Sequence, residues 1–304
     1  MRLQVKEGAG FSAKLGAFVL LLWISISGLS GCLVRHRQRI EVRDPAVFQN
    51  ATLQVLLDKI KAQQESIETL NATATIEPTV TGKGEIVNYR DIKAFILVRK
   101  PGFIRMMGLY PVVQNKAFDM ASDGETFRLL IPIRNRFVVG RNQENPKPSQ
   151  SSLENLRPQH ILDALLLRGP EAGTEEAFLE VSSDGMNSFY VINVLQLVDG
   201  RWPLLARKIW VERTGLAIVR LQMYNEQGEE VTDVLYGNYV PASGIPYPRE
   251  IVVRRPKDQY SLRLVISAIS LNEPITEDKF ILEQPPGTQL TNMDDLPPSG
   301  GSGG

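Results

Sequence analysis

From Asn71 onward the apolar residues of this chain recur mainly at every second position, and that period limits the fold more than any other feature. Successive side chains of an extended strand point to opposite faces, so a period of two predicts strands with one buried and one wetted face. Ala72, Ala74 and Ile76 alternate with Thr73, Thr75 and Glu77. The same pattern predicts strands over residues 85–89, 93–98, 103–107, 116–121, 127–131 and 136–139. It resumes over 176–182, 188–197, 206–213, 216–224, 230–239, 248–253 and 260–268. Turn residues stand between the runs: Lys100-Pro101-Gly102, Asp123-Gly124, Asp184-Gly185 and Asp199-Gly200. Residues 94–98 are apolar without alternation, which predicts a strand buried on both faces.

Two stretches carry a helical period instead. Asp44-Pro45 offers an N-cap followed by proline in the first turn, and Leu53, Leu56, Leu57, Ile60, Ile67 and Leu70 then form one stripe. Residues 158–167 are leucine-rich nearly all round and stop at Gly169-Pro170, which predicts a short helix buried against a concave surface. Residues 142–152 are polar and read as a loop, and 275–282 add one last short element. Some dozen strands with two helices and no linker predict a mainly β (α+β) domain over residues 46–284. Its form is a single large curved antiparallel sheet, an incomplete β-barrel with helices covering the concave side, since curling limits exposed sheet edges. Residues 285–304 show no period and end in Gly and Ser, the pattern of a disordered tail.

The N-terminus is of another kind. Arg2, Lys6 and Lys14 precede an uncharged apolar run from Leu15 to Ile26, short for a bilayer span, and small residues lead to Cys32, the only cysteine. This is the order of a secretory signal. Leu29-Ser30-Gly31-Cys32 resembles the lipobox of bacterial lipoproteins. The resemblance implies a signal peptide over residues 1–31, cleavage between Gly31 and Cys32, and a diacylglyceryl and an N-acyl group on Cys32. The alternative is an uncleaved anchor in which Cys32 is incidental. Residues 32–45 then form a tether with basic residues close to the lipid, suited to anionic headgroups or simply solvated. In enteric bacteria an Asp after the lipidated Cys retains the protein at the inner membrane. Leu33 stands there, so the analogy gives a lipid-anchored envelope protein of the outer membrane, facing the periplasm.

Lys and Arg together number 34, as do Asp and Glu, which leaves no field to gather nucleic acid. With Cys32 acylated no disulfide is available. The 2 histidines, His36 and His160, cannot make a His-rich metal site, and no serine sits in a Gly-x-Ser-x-Gly elbow. Neither a cofactor nor an enzymatic activity is expected beyond the acyl groups on Cys32. His160 reads as a partly buried helix residue, and Asp123 is explained by its turn. Asp119, the other carboxylate weighed for hydrolysis, has no partner that the sequence reveals.

Several segments resemble the periplasmic LolA/LolB lipoprotein-localisation family. They are the helix-then-strand opening, Val98-Arg99-Lys100-Pro101-Gly102-Phe103-Ile104-Arg105, and Ala121-Ser122-Asp123-Gly124-Glu125-Thr126-Phe127. The stretch from Pro132 to Gly140, Tyr236-Gly237-Asn238-Tyr239 and Gly244-Ile245-Pro246-Tyr247-Pro248 complete the set. The resemblance implies a half-barrel whose hollow holds acyl chains. Phe95, Leu97, Phe127, Leu129, Leu162 and Leu166 are the candidate cavity lining. Residues 106–113 form an unusually apolar connection in which Leu109, with Tyr110 and Val112, matches the loop that delivers acyl chains to the bilayer in anchored members. The expected partners are membrane lipid and acylated lipoproteins or another envelope protein. The alternative is a non-catalytic scaffold or sensor whose barrel is filled by its own helices.

Overall fold

The computed structural model describes residues 47–82, 85–88, 91–142, 157–185, 187–197 and 203–295. Cys32, the signal peptide, the tether and the Gly/Ser end lie outside them, as does most of the loop expected at 142–152. Val47–Gly304 forms one compact unit.

The first helix, α1 (Leu53–Glu65), is capped by Thr52, whose hydroxyl accepts from Val55 N at 3.4 Å. Residues 47–52 are not helical, so the helix does not start at Asp44-Pro45, and Leu70 at the far end already belongs to a strand. Strands β1 (Thr69–Gly82), β2 (Glu85–Asn88), β3 (Ile92–Arg99), β4 (Phe103–Leu109), β5 (Lys116–Ser122), β6 (Thr126–Ile131) and β7 (Arg136–Arg141) follow. After α2 (Pro158–Leu165) come β8 (Glu175–Asp184), β9 (Asn187–Gln196), β10 (Leu204–Glu212) and β11 (Ile218–Tyr224). The series ends with β12 (Glu230–Ala242), β13 (Ile245–Arg255), β14 (Tyr260–Leu271) and β15 (Gln289–Asn292).

Among the described residues the strands join one 15-stranded sheet in the order β15-β7-β6-β5-β4-β3-β1-β14-β13-β12-β11-β10-β9-β8, with β2 added beside the end of β1. Two meanders therefore meet where β1 pairs β14, and α2 lies on the connection between them. Every pair is antiparallel except β15 with β7. The two outermost strands, β15 and β8, do not pair, so the curved sheet is an incomplete barrel. The expected mainly β architecture is the one observed.

One face of the sheet carries the core. Ala72, Ala74 and Ile76 of β1, Ala94, Ile96 and Val98 of β3, and Ile251 and Val253 of β13 pack with Leu56 and Ile60 of α1 and Ile161 and Leu162 of α2. On β1 and from β11 to β14 the other face carries long, paired charged side chains. Arg263 pairs with both Glu77 and Glu250, and Asp233 with Arg220 and Arg254. This corrects the expectation that β3 is buried on both sides. Phe95 and Leu97 face away from the core and are half-buried, Phe95 under the Lys93 ammonium at 5.2 Å.

A second correction concerns the C-terminus. After β14 the chain crosses the outer face of the first meander and continues in ordered form to Asp295, beyond the boundary expected at 284. Phe280 stacks near Phe103 with ring centroids 5.5 Å apart, and Leu282 packs with Ala121, Leu130 and Phe137. Arg105 Nη1 donates to Lys279 O at 2.9 Å and to Ile281 O at 3.2 Å. The segment is short and carries its contacts at irregular spacing, so it leaves no period in the sequence.

Candidate functional site: an apolar cavity between the two helices

The two meanders run their strands between two ends of the half-barrel. One end holds the β3–β4 turn at Lys100-Pro101, the β10–β11 turn near Thr214 and the Gly102–Gly124 contact. At this end α1 crosses the opening, from Lys59, which donates to Leu216 O at 2.7 Å, to Gln64, whose carbonyl accepts from Lys100 Nζ. Helix α2 lies along the hollow. His160 Nδ1 is 3.2 Å from Tyr260 Oη near one end of β14, and the C-terminal carbonyls of α2 reach β12 and β13.

Proline at N1 sets the first turn of α2. Its last turn is fixed from the sheet: Tyr236 Oη donates to Ala164 O at 3.1 Å and Tyr247 Oη to Leu165 O at 2.9 Å. Helix carbonyls that lack intrahelical partners are thus satisfied by buried phenols. Burial pushes both phenols well above the ordinary tyrosine range, so they stay neutral donors. Beyond the helix, Gly169 N donates to Gln64 Oε1 at 3.1 Å and Gly169 O accepts from Arg207, which itself clasps Glu175.

Between these parts lies a cavity of about 250 Å³. Its apolar wall comes from Ile60 and Ile67 at the α1 end, Leu162 and Leu165–Leu167 at the α2 end, and Ile218 and Pro248 from the sheet. Polar groups stand among these: Gln63 and Gln64, Gln159, Asp163, and Lys100 with Arg168. Asp163 is only 16% exposed. Burial raises its carboxyl above the usual range, against the pull of Arg168 and the Gln159 hydrogen bond.

The six residues expected to line a hollow separate into three groups. Leu162 and Leu166 line this cavity. Phe127 and Leu129 are buried in the core away from it. Phe95 and Leu97 lie on the outer face, because adjacent odd and even positions of one strand cannot share a side. The residues that sequence reasoning missed are Tyr236, Tyr247, Gln64 and Asp163. The two tyrosines sit within quoted motifs, but only the register of β12 and β13 shows that they reach α2.

The opposite end carries the apolar connection of residues 106–113. Leu109 closes β4 and is half-buried against the neighbouring strands, while Tyr110 N donates to Asn115 O at 3.0 Å. The exposed apolar groups are Val112 and Val113, at 91% and 62%. Ile133, 78% exposed, lies in the β6–β7 turn at the same end, since β5 and β6 pair antiparallel with Asp119 opposite Leu130.

Asp119 and Asp123 are engaged in structure. Asp119, fully buried, accepts from Arg105 Nε and Nη2 at 3.1 Å each and from Lys116 at 2.8 Å. Asp123 accepts from Thr126 N at 2.7 Å, Thr126 Oγ1 at 2.9 Å and Glu125 N at 2.9 Å. Burial raises its carboxyl, but these bonds outweigh that and hold it below the usual range. Among the described residues no three His, Cys, Asp or Glu side chains cluster as metal ligands.

No protein-family model matches the sequence. No curated protein matches it. Among solved structures the chain is similar to a LolA superfamily protein from Nitrosomonas europaea, at 13% identity and a TM-score of 0.48, over 77% of this chain and 99% of that one. It is also similar to a putative outer membrane lipoprotein-sorting protein domain from Vibrio parahaemolyticus, at 13% identity and a TM-score of 0.49, over 74% of this chain and 94% of the other. A DUF1329 family protein from Desulfovibrio piger matches at 12% identity and a TM-score of 0.48, over 74% and 94% of the two chains.

Proposed function

We propose that this chain is a lipid-anchored protein of the bacterial envelope, held at the outer membrane through acylated Cys32, whose half-barrel accepts an acyl chain of a lipid or of a lipoprotein. The observation that carries the reading is the apolar-walled cavity between α1 and α2, with polar groups gathered among its walls. Taking up an alkyl chain requires no proton transfer. It needs apolar surface, at about 0.8 kcal/mol per buried CH₂, and an entrance. The rim of Val112, Val113 and Ile133 at the other end is the surface that meets a bilayer. Two or more acyl groups on Cys32 give stable anchoring where a single chain is marginal. The test is native mass spectrometry of residues 47–304, delipidated and refolded, then incubated with membrane lipids. A stoichiometric, displaceable acyl-lipid adduct is expected, and a bare mass with every lipid class refutes the reading.

The size of the cavity favours a second reading, the self-filled scaffold or sensor. About 250 Å³ lies below the roughly 300–1,000 Å³ of sites that enclose a drug-sized ligand. Leu56, Ile60, Ile161 and Leu162 fill much of the concave face. If the helices stay in place, the barrel has room for the end of one chain at most, and the bare mass is the result that this reading requires.

A further inference from the structure

The two ends of the sheet are unlike. Strand β15 is 4 residues long, whereas β8 runs for 10, from Glu175 to Asp184, and among the described residues it pairs with β9 alone. Thr174 O accepts from Leu197 N at 2.8 Å, and the register continues from there without a bulge to Asp184 opposite Asn187. In an antiparallel ladder both polar backbone groups of one residue point to one side and those of the next residue to the other. The even positions of β8 therefore bond β9. The N–H and C=O groups of Ala177, Leu179, Val181 and Ser183 point outward along the sheet edge. The side chains leave that edge open to a partner, with Phe178 48% and Val181 56% exposed.

Edge strands of this length are commonly blunted by lysine, proline or a bulge, and β8 has none of these. Its charge is of one sign. Ala177 and Leu179 pack on the core, so Glu176, Phe178, Glu180 and Asp184 lie on the outer face, and all four are exposed. Glu180 accepts from Asn193 Nδ2 at 3.3 Å, a neutral donor. Arg207 is held on the inner face by Glu175 at 2.6 Å, and Lys208 of β10 is separated from β8 by the whole of β9. A second copy of this chain added along β8 would double the carboxylates on the seam and bring no cation to it. Like charges across a strand pair destabilise it, so the edge disfavours itself and favours a basic strand.

We infer that β8 takes up an extended segment of another polypeptide as an added strand, one with Lys or Arg at alternate positions and apolar residues between them. The segment bonds the outward backbone groups of Ala177, Leu179 and Val181. Its basic side chains lie beside Glu176, Glu180 and Asp184, with their aliphatic stems over Phe178. Its apolar side chains extend the core face beside Leu179 and cover Val181. This site lies on the sheet edge and does not depend on the cavity or on what the cavity holds.

The test uses the compact unit, residues 47–304, and a fluorescein-labelled peptide of about ten residues in which Arg and Val alternate, titrated by anisotropy. The control peptide has the same residues in two blocks. The alternating peptide should bind at least about tenfold more tightly than the control, and about tenfold more weakly when salt is raised from about 50 to about 500 mM. Glu176→Gln with Glu180→Gln should weaken it about five- to tenfold. Val181→Pro removes an outward N–H without touching the β9 ladder and should weaken it more than tenfold. If that variant fails to fold, amide exchange in the unmodified protein decides. The N–H groups of Leu179 and Val181 should gain protection with the peptide, and those of Phe178 and Glu180 should not change. Equal binding of the two peptides, or no gain of protection at Leu179 and Val181, overturns strand addition. Affinity unchanged by the double Glu substitution overturns the charge preference. A dimer in sedimentation with no peptide bound makes a second copy the occupant, and no binding of either kind removes the edge as a docking site.

Discussion

Replacing Asp119 with alanine tests whether the outer face of the first meander is held as described. The side chain is 0% exposed and accepts three charge-assisted bonds, two from Arg105 and one from Lys116. Arg105 is 26% and Lys116 37% exposed, so water screens part of their attraction. Removing one partner of a buried pair costs about 3–5 kcal/mol, and the exposure of the two cations puts this site near the lower figure, about 3 kcal/mol. For a domain of this size each kcal/mol moves the melting temperature by roughly 2–4 °C, so the variant should melt about 6–12 °C lower by circular dichroism. A local consequence follows. Arg105 also donates to the carbonyls of Lys279 and Ile281, and without Asp119 to orient its guanidinium the segment bearing Phe280 and Leu282 loses its clasp. Amide exchange over residues 277–292 should rise more than exchange in β9–β13. A melting temperature within about 2 °C of the unmodified protein, or uniform exchange, would refute the reasoning.

Three further outcomes follow from other parts of the molecule. A Cβ on Gly102 meets Gly124 Cα at 2.7 Å, backbone against backbone, so Gly102→Ala should cost about 1–3 kcal/mol in urea unfolding, and a loss below about 0.5 kcal/mol would show that the two turns can separate freely. Burial, then the charges of Arg255 and Arg157, hold His160 well below its ordinary 6.5, while Tyr260 faces its ring. Below pH 6.5 the unfolded chain therefore takes a proton that the folded one refuses, and stability falls by up to about 1.4 kcal/mol per pH unit. His160→Gln should remove about 1 kcal/mol of the difference between pH 6.5 and 5.5, and an unchanged pH profile would contradict the burial of a neutral ring. Because Val112 and Ile133 are exposed, Val112→Asp with Ile133→Asp should leave the fold intact yet weaken flotation of residues 47–304 with phosphatidylglycerol vesicles by about tenfold or more, each side chain being worth about 1.5–3 kcal/mol when buried. Equal flotation would remove that rim from the account.

The strands, their order along the chain and the second helix were legible because a period of two and a leucine-rich ten-residue run are local properties. What the pattern leaves open is parity. Residues 94–98 are apolar throughout, so composition cannot say whether the even or the odd positions face inward. That is settled by β1, where Ala72 pairs Ile96 and Ala74 pairs Ala94, joining buried positions to buried positions. Phe95 and Leu97 follow to the outer face, Phe95 under the Lys93 ammonium. The apolar connection after β4 was visible in the same way, but not that Leu109 would be absorbed into the strand and leave Val112 and Val113 at the tip. The filling of the hollow is the least local property of all. It depends on how far α2 enters, which Tyr236, Tyr247 and Tyr260 set from strands roughly 70–100 positions away in sequence. Three phenols, two on carbonyls and one facing the His160 ring, pin a helix of eight residues whose buried face is otherwise held by aliphatic contacts. An acyl chain that needs more than the present cavity must displace that helix, and the first bonds to yield would be those of Ala164 and Leu165. Tyr236→Phe with Tyr247→Phe removes both donors while keeping the rings, so a carrier should then admit longer chains, whereas a self-filled scaffold should only lose stability.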